Sequence, residues 1–468
     1  HPTIAGLAEV LEGNWPQWST EAMTAVDRGG PLAEAIKAVD AGDLDVVSFP
    51  QRALWFLDQL EGGSRNYVID SVTRIVGELD LDQLEASVQA LVVRHPALRS
   101  AFIPGEDGPR LRVMDPSLAQ TVKLRRERVV PGVDLQQRLL ARLNQPFDLQ
   151  SAPLLRASVL EVTAEDHVFV LSIHHIVSDG WSMAILFREL AMLYAGARLG
   201  EAPPLTALHA LLQARAQSSG AFDADEAYWR EQLAGLPRLD VPTDHPRPAQ
   251  PGADGLSVGF RIEADVAEAL RAMAHAHSTT LFTALLAAFQ LLLAHHSGQD
   301  DVAVGVPVAD RVDPALADTV GYLVNTVVMR TRLDGAIRFG ELLERVRDTT
   351  LEAINHSRMP FDRVVAALQP ERETGRHPLV DVIFAFDDFP QQSVELDGLR
   401  CSPWSIRGDT AKFDLSMALH PEGRGLEGYL EFRTDLYDEA MVERMARRFD
   451  VLLRSVVASP ETPIGELA

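Results

Sequence analysis

The sequence predicts an α/β fold built from more than one unit, and three observations carry that prediction. The chain has 468 residues, more than one ordinary core holds. Short runs rich in β-branched residues interleave with longer segments of helical period, which points to α/β sandwiches. The clearest strand–loop–helix unit runs from Val168 to Tyr194. There an apolar run ends in His174 and His175, a polar turn carries Asp179 and Gly180, and Ile185, Leu186, Leu190 and Leu193 then recur at helical spacing.

The other elements follow in chain order. Thr3 can cap a short helix with an apolar face of Ile4, Leu7, Ala8 and Leu11. Residues 15–46 carry mixed signals and a break at Gly29-Gly30-Pro31, so they are expected to be a linker. Ser48 caps a helix whose apolar face is Leu54, Trp55 and Leu57. A strand over 67–76, a helix over 81–95, strands over 110–114 and 121–126, a helix over 135–144 and strands over 155–162 and 168–173 complete a first unit. It ends in a small-residue stretch near 216–221. Residues 241–254, rich in Pro, Asp and Gly, predict a loop. A strand over 256–262, helices over 264–275 and 280–295 and a strand over 302–306 repeat the mixed pattern.

Bulk properties exclude several function classes. The formal net charge of −24 argues against polyanion binding and against adhesion to anionic membranes. One cysteine, Cys401, leaves no internal disulfide and no cysteine-based metal cluster. No apolar run approaches the roughly 18 residues of a membrane span, and the N-terminus lacks a signal-peptide pattern. These features predict a cytoplasmic protein.

The candidate chemistry lies in the histidine pair. Successive strand side chains point to opposite faces, so one of His174 and His175 should face the interior and the other a cavity. Such an imidazole suits general-base or positioning work near neutral pH. Asp179 is expected to pair with Arg94 or Arg99, because a buried carboxylate needs a partner. Gly180 lets backbone approach a substrate closely. No third ligand lies at suitable spacing, so no metal site is expected. A second pair, His295-His296, follows a long apolar helical pattern and precedes Gly298, and predicts a solvated helix end favoured by the dipole.

His174-His175-Ile176-Val177-Ser178-Asp179-Gly180 resembles the HHxxxDG motif of condensation domains from nonribosomal peptide synthetases. Other stretches resemble that family's motifs in order: 48–57, with Pro50 and Ala53 as departures, 94–102, Val320 to Arg330 around Asn325-Thr326, 359–365, 375–382, 412–415 and 431–437. Residues 208–214 lack the tyrosine, aspartate and tryptophan of its YxDFAxW motif. The resemblance implies a two-lobed pseudo-dimer of chloramphenicol-acetyltransferase-like α/β sandwiches with a tunnel between the lobes. The division expected is 1–14 as the last helix of a preceding peptidyl carrier domain, 15–46 as linker, 47–220 as N-lobe and 221–468 as C-lobe. It further implies amide formation between a donor acyl or peptidyl thioester and an acceptor aminoacyl amine. His175 then stands at the tunnel centre, His174 beside it, Asp179 acts as a brace and the Gly180 N–H as an oxyanion donor, with Arg94, Arg99 and Asn325 in support. Phosphopantetheine comes on partner carrier domains and no cofactor is held permanently. The partners implied are an upstream carrier domain and downstream carrier and adenylation domains. The carrier-like helix directly upstream points to an L-configured or achiral donor. The rival readings are an epimerization domain and an inactive recruitment domain of the same fold.

Overall fold

The computed structural model describes residues 45–467, apart from 130–133, 201–205, 312–315, 388–393, 405–409 and a few isolated positions. The carrier-like helix and almost all of the expected linker lie outside the described residues.

Two sheets organise the chain. The first lobe contains α1 (Phe49–Glu61), β1 (Val68–Val76), α2 (Leu81–Arg94), a hairpin of β2 (Ser100–Gly105) and β3 (Gly108–Val113), β4 (Leu124–Arg128), α3 (Leu135–Leu140), β5 (Leu155–Glu161), β6 (Asp166–His174) and α4 (Gly180–Tyr194). Helices α5 (Thr206–Ser218) and α6 (Asp223–Gln232) lead to the second. That lobe contains β7 (Gly255–Ile262), α7 (Ala264–Ala276), α8 (Leu281–Ser297), β8 (Asp301–Ala309), β9 (Val324–Arg332), α9 (Phe339–Asn355), α10 (Phe361–Leu368), β10 (Val382–Phe386), β11 (Arg400–Pro403), β12 (Leu415–Glu422), β13 (Gly425–Arg433) and α11 (Glu439–Ala458). The strand orders are β11-β1-β6-β5-β4 and β7-β13-β12-β10-β8-β9.

The sequence of β6 explains its central place. Phe169, Leu171 and Ile173 enter the core shared with α2 and α4, whereas Val168 and Val170 enter a second core with Leu139 of α3. A strand covered on both faces reads as a continuous apolar run, which is what 168–173 shows. In the other lobe α8 is apolar all round; Leu285, Leu286, Phe289 and Leu293 are fully buried against β8, β10 and α11.

The expected boundary at 220/221 is crossed twice. Strand β11 pairs antiparallel with β1, as the first sheet's edge strand, and Val394, Leu396 and Trp404 pack into first-lobe cores. The connection between β8 and β9 also sends Val320 and Tyr322 into the first lobe. These returns carry no periodic signature in the sequence.

Smaller differences have local causes. Leu57 is 38% exposed, while Leu54 and Trp55 carry the buried face of α1. Residues 116–121 form a 3-10 turn capped by Asp115, so β4 starts only at Leu124. Gly298 ends α8 in the left-handed region at φ 70°, as expected. His296 is no dipole-stabilised cation, however: burial, then the nearby Arg448, pushes its pKa down to about 4.

Two of the family-like stretches are bound to each other. Asp414, in front of β12, accepts from Arg433 Nη1 at 3.1 Å and from Arg247 Nη1 at 3.0 Å, and Arg433 also donates to Asp435. Arg433 and Asp414 are almost fully buried. Removing the carboxylate strands Arg247 and leaves the buried Arg433 with Asp435 alone, so Asp414→Ala is expected to cost about 3 kcal/mol. Urea denaturation checks this; an unchanged midpoint would contradict it.

Candidate active site at the lobe junction

Strand β6 ends at His174 for a local reason. The His174 Nδ1 accepts the Ile176 N–H at 3.1 Å, and this capping bond turns His175–Val177 into a 3-10 turn. The two histidines therefore separate. His174 is fully buried, edge-on to Phe147 with ring centroids 6.2 Å apart. His175 is half-buried and edge-on to Tyr322 of the second lobe at 5.0 Å.

Their hydrogen bonds fix opposite tautomers. Because His174 Nδ1 accepts, its proton sits on Nε2, which is buried with no partner among the described residues. His175 Nδ1 donates to the Ser178 carbonyl at 2.9 Å, so the lone pair is on Nε2, which has no hydrogen-bond partner among the described residues. Burial pushes His174 down to about 3, helped by the positive surroundings of His175, Lys412 and Arg156. Burial also pushes His175 down to about 4, with Lys412 adding to the effect and Asp179 opposing it. Both imidazoles are neutral at pH 7.

Asp179 is the N-cap of α4, accepting from Ser182 N at 2.8 Å. It is fully buried. Burial alone would raise its pKa, but Arg311 and the Ser182 hydrogen bonds hold it below the usual carboxylate range. Arg311 approaches it in a bidentate pair at 2.9 and 3.0 Å and is itself 3% exposed. This corrects the expected partner. Arg94 instead pairs with Glu189 at 2.9 Å, and Arg99 donates to the Met114 carbonyl at 2.5 Å, both behind the site. Arg311 follows β8, 132 positions from Asp179, in a segment with no motif or period to mark it.

The same connection is stitched to α4 at further points. Trp181 Nε1 donates to the Ala317 carbonyl at 2.8 Å, Arg188 pairs with Asp318 at 2.7 Å, Gly321 N donates to Ser182 Oγ at 3.0 Å, and Leu323 N donates to Asp179 at 3.0 Å. From behind, Gln51 of α1 donates to the Ile176 carbonyl at 3.0 Å. Gly180 is the first residue of α4 and is exposed, so its N–H belongs to the open helix start.

Asn325 does not line a cleft. Its amide donates to the carbonyls of Ser357 and Met359, both at 2.8 Å, and its oxygen accepts from Thr326 N and Phe361 N. All its hydrogen-bonding capacity is spent on pinning the chain before α10. Where YxDFAxW was missing, His209 and Gln213 of α5 do the bonding: His209 Nε2 lies 2.7 Å from Asp310, and Gln213 accepts from Phe49 N at 3.2 Å.

Several ionisable groups of the second lobe are desolvated as well. Lys412, Glu431 and Tyr429 are accessible to solvent, yet each is strongly desolvated: Lys412 is pushed down and the other two up. Asp362, at the start of α10, is pushed up to about 6 by burial. A separate cavity of about 370 Å³ opens beside β5; it reaches Arg156 and Ser172 but not His175.

Two layered α/β lobes, with the His-His loop of one clamped by an arginine of the other, define a chloramphenicol-acetyltransferase-like class. The condensation-domain model matches residues 43–468, and the chain belongs to the condensation-domain family. It is 37% identical to malpinin synthetase of Mortierella alpina, over 90% of this chain and 6% of that protein. It is 34% identical to tyrocidine synthase 3 of Brevibacillus parabrevis, over 93% of this chain and 7% of that protein. The chain thus spans a small part of the curated relatives it matches. Among solved structures it resembles the X-domain from teicoplanin biosynthesis, with TM-score 0.81 and 26% identity over 90% of this chain and 97% of that one. The first condensation domain of the CDA synthetase shares the fold, with TM-score 0.77 and 22% identity over 90% of this chain and 98% of that one.

Two predictions follow from this geometry. Arg311→Ala leaves Asp179 buried and unpaired and is expected to cost about 3–5 kcal/mol, read in chemical denaturation; a loss under about 1 kcal/mol would contradict the clamp. The second concerns pH. His174 has a pKa near 6.5 when unfolded and about 3 when folded, so the unfolded chain binds the extra proton between them. Stability therefore falls as pH drops from 6.5 towards 3, and His175 and His296 act in the same sense. Asp362 opposes them, because its contribution is full below 3.8 and is lost as pH rises through about 6. Thermal midpoints are expected to drop from pH 7 to pH 4.5, and to drop less in His174→Gln; equal drops would contradict this account.

Proposed function

We propose that this chain forms an amide bond between two substrates tethered as thioesters on carrier domains. The observation that carries the reading is the His175 imidazole, held neutral by its surroundings. Its Nδ1–H is anchored on Ser178, and its Nε2, at the lobe junction, has no hydrogen-bond partner among the described residues. The donor is an acyl or peptidyl thioester and the acceptor an aminoacyl thioester, each on a phosphopantetheine arm supplied by a partner. The acceptor amine attacks the donor carbonyl, a C–N bond forms and negative charge grows on the carbonyl oxygen. His175 Nε2 orients the amine and accepts its proton; collapse breaks the C–S bond, and the proton passes to the leaving thiolate. The Gly180 N–H, at the positive end of α4, is the candidate donor to the oxyanion. Asp179 carries no proton in this scheme, since Arg311 holds it ionised.

The donor end is proposed to be L-configured or achiral. The partners are an upstream carrier domain for the donor and a downstream carrier with its adenylation domain for the acceptor. An epimerization reading would give deuterium washout at the α-carbon of a loaded carrier without a new amide. The similarity to an X-domain that has been solved in complex with OxyB favours a second reading, that of a recruitment domain. Mass spectrometry of both carriers after mixing in deuterated buffer separates all three: new amide on the acceptor, deuterium exchange on the loaded carrier, or neither.

The expected result is amide product that falls by about 10²–10⁴ in His175→Ala, with carrier binding retained. The acid limb of the rate is expected well below pH 6.5, because His175 protonates only near 4. Unchanged product in the variant would support recruitment and defeat the catalytic assignment.

A further inference from the structure

The separate cavity of about 370 Å³ beside β5 has no part in the reaction described above. Its origin lies in the register of the first sheet. The 3-10 turn at 116–121 delays β4 to Leu124, which pairs with Ala157, so Leu155 and Arg156 open β5 without a β4 neighbour. The pairing sets Arg125 beside Ser158 and Arg156 beside Ser172. Strand alternation then puts these four side chains on one face of the sheet. It is the face on which α3 lies: Leu139 packs there on Val168 and Val170, and Arg142, just past α3, lines the cavity from that side.

Cations dominate the lining. Lys123, Arg125, Arg142 and Arg156 all reach the cavity, and no carboxylate does among the described residues. In a chain of net charge −24 this is a local reversal of sign. Two of the four are partnered at the rim. Lys123 pairs with Glu85 at 3.2 Å, and Arg142 pairs with Glu127, which Arg138 also meets at 3.5 Å. The other two form no ion pair among the described residues. Arg156 is fixed by the carbonyls of Gln145 and Pro146 and by the Phe147 ring. Asp70, on β1, accepts the Ser172 hydroxyl and acts on Arg156 only through space. Arg125 is exposed at the mouth, with no acceptor among the described residues. Burial lowers the pKa of Arg142 and Arg156, and the like charge of Arg125 lowers that of Arg142 further. Guanidiniums stay protonated all the same. Crowding of this kind is relieved by an anion set between them.

We infer that this cavity is a binding site for a phosphate dianion, either free or as the monoester of a small organic molecule. Two guanidiniums without an ion-pair partner match two negative charges, and their planar forks match the oxygens of phosphate. A phosphopantetheine arm is joined to its carrier through a phosphodiester, which bears a single charge and is the poorer match. The volume lies within the roughly 300–1,000 Å³ of small-molecule sites, and Val122, Pro153 and Leu155 offer an apolar wall to an organic part. The inference does not depend on the amide-forming reading.

The test is calorimetric titration of the full chain at about pH 8, where a monoester is a dianion. The probes are inorganic phosphate, glycerol 3-phosphate and dimethyl phosphate. One saturable site is expected for the first two, with the diester at least about tenfold weaker. Arg125→Gln is expected to weaken both dianions about tenfold or more. Arg128→Gln removes the same charge from the same strand outside the cavity and should keep the parent affinity. Lys123→Gln is the second variant, read in the same way if Arg125→Gln lowers the thermal midpoint. Tighter binding of glycerol 3-phosphate assigns the apolar wall to an organic part, and equal affinities assign the site to free phosphate; both support it. Three results would overturn the inference: no saturable binding of either dianion, equal losses in the cavity variant and in Arg128→Gln, or dimethyl phosphate binding as tightly as the dianions. The last would point to a carrier arm instead.

Discussion

A carboxylate sealed from water must meet a cation, and the pairing of Asp179 with Arg311 is the constraint on which the remaining architecture depends. The two residues come from different lobes, and each is nearly inaccessible. Breaking a pair of this kind costs several kcal/mol, a large share of the stability of an ordinary fold. The lobes therefore cannot drift apart at this point without leaving a charge stranded. Asp179 also caps α4 and receives the Leu323 N–H, so one side chain fixes a helix start, a loop and the lobe interface together.

That arrangement lets the histidines differ. Had β6 continued, both rings would have alternated across one sheet. Instead the Ile176 N–H is captured by His174, the strand stops, and His175 swings to the junction. His174 becomes part of the frame, neutral and enclosed. His175 keeps one nitrogen tied and one without a partner among the described residues. The tie comes from Ser178, the residue next to Asp179, so the clamp between the lobes also sets the orientation of the ring.

How much of this was legible depended on whether the signal was local. The apolar run of β6, the turn at Asp179-Gly180 and the period of α4 and α8 are written within short windows, and the elements formed where those windows lie. That His174 and His175 would differ was expected from strand alternation, but the structure separates them by ending β6 at His174. The partner of Asp179 did not follow, because charge pairing over 132 positions leaves no spacing to read. Arg94 and Arg99 were drawn elsewhere by nearer acceptors, Glu189 and the Met114 carbonyl. Asn325 was expected to support the site, and four backbone groups around residues 326 and 357–361 consume its amide instead. The returns of β11 and of the β8–β9 connection erased a clean boundary for the same reason: edge pairing is a property of the assembled sheet.

The electrostatics around His175 bear on where the acceleration of the proposed reaction must originate. An imidazole with a pKa near 4 is a weak proton acceptor at neutral pH, though always in the right form. General-base catalysis by a well-matched group contributes roughly 10²–10⁴. Holding two reactants in line contributes on the order of 7–11 kcal/mol, which is far more. A site that works with so weak a base has placed its weight on orientation. Orientation in turn requires that neither lobe move, and that is the work of Asp179 and Arg311, reinforced by Ser182, Trp181 and Asp414. On this argument the aspartate of the motif matters through rigidity rather than through protons, and the chemistry at His175 is only as good as the clamp behind it.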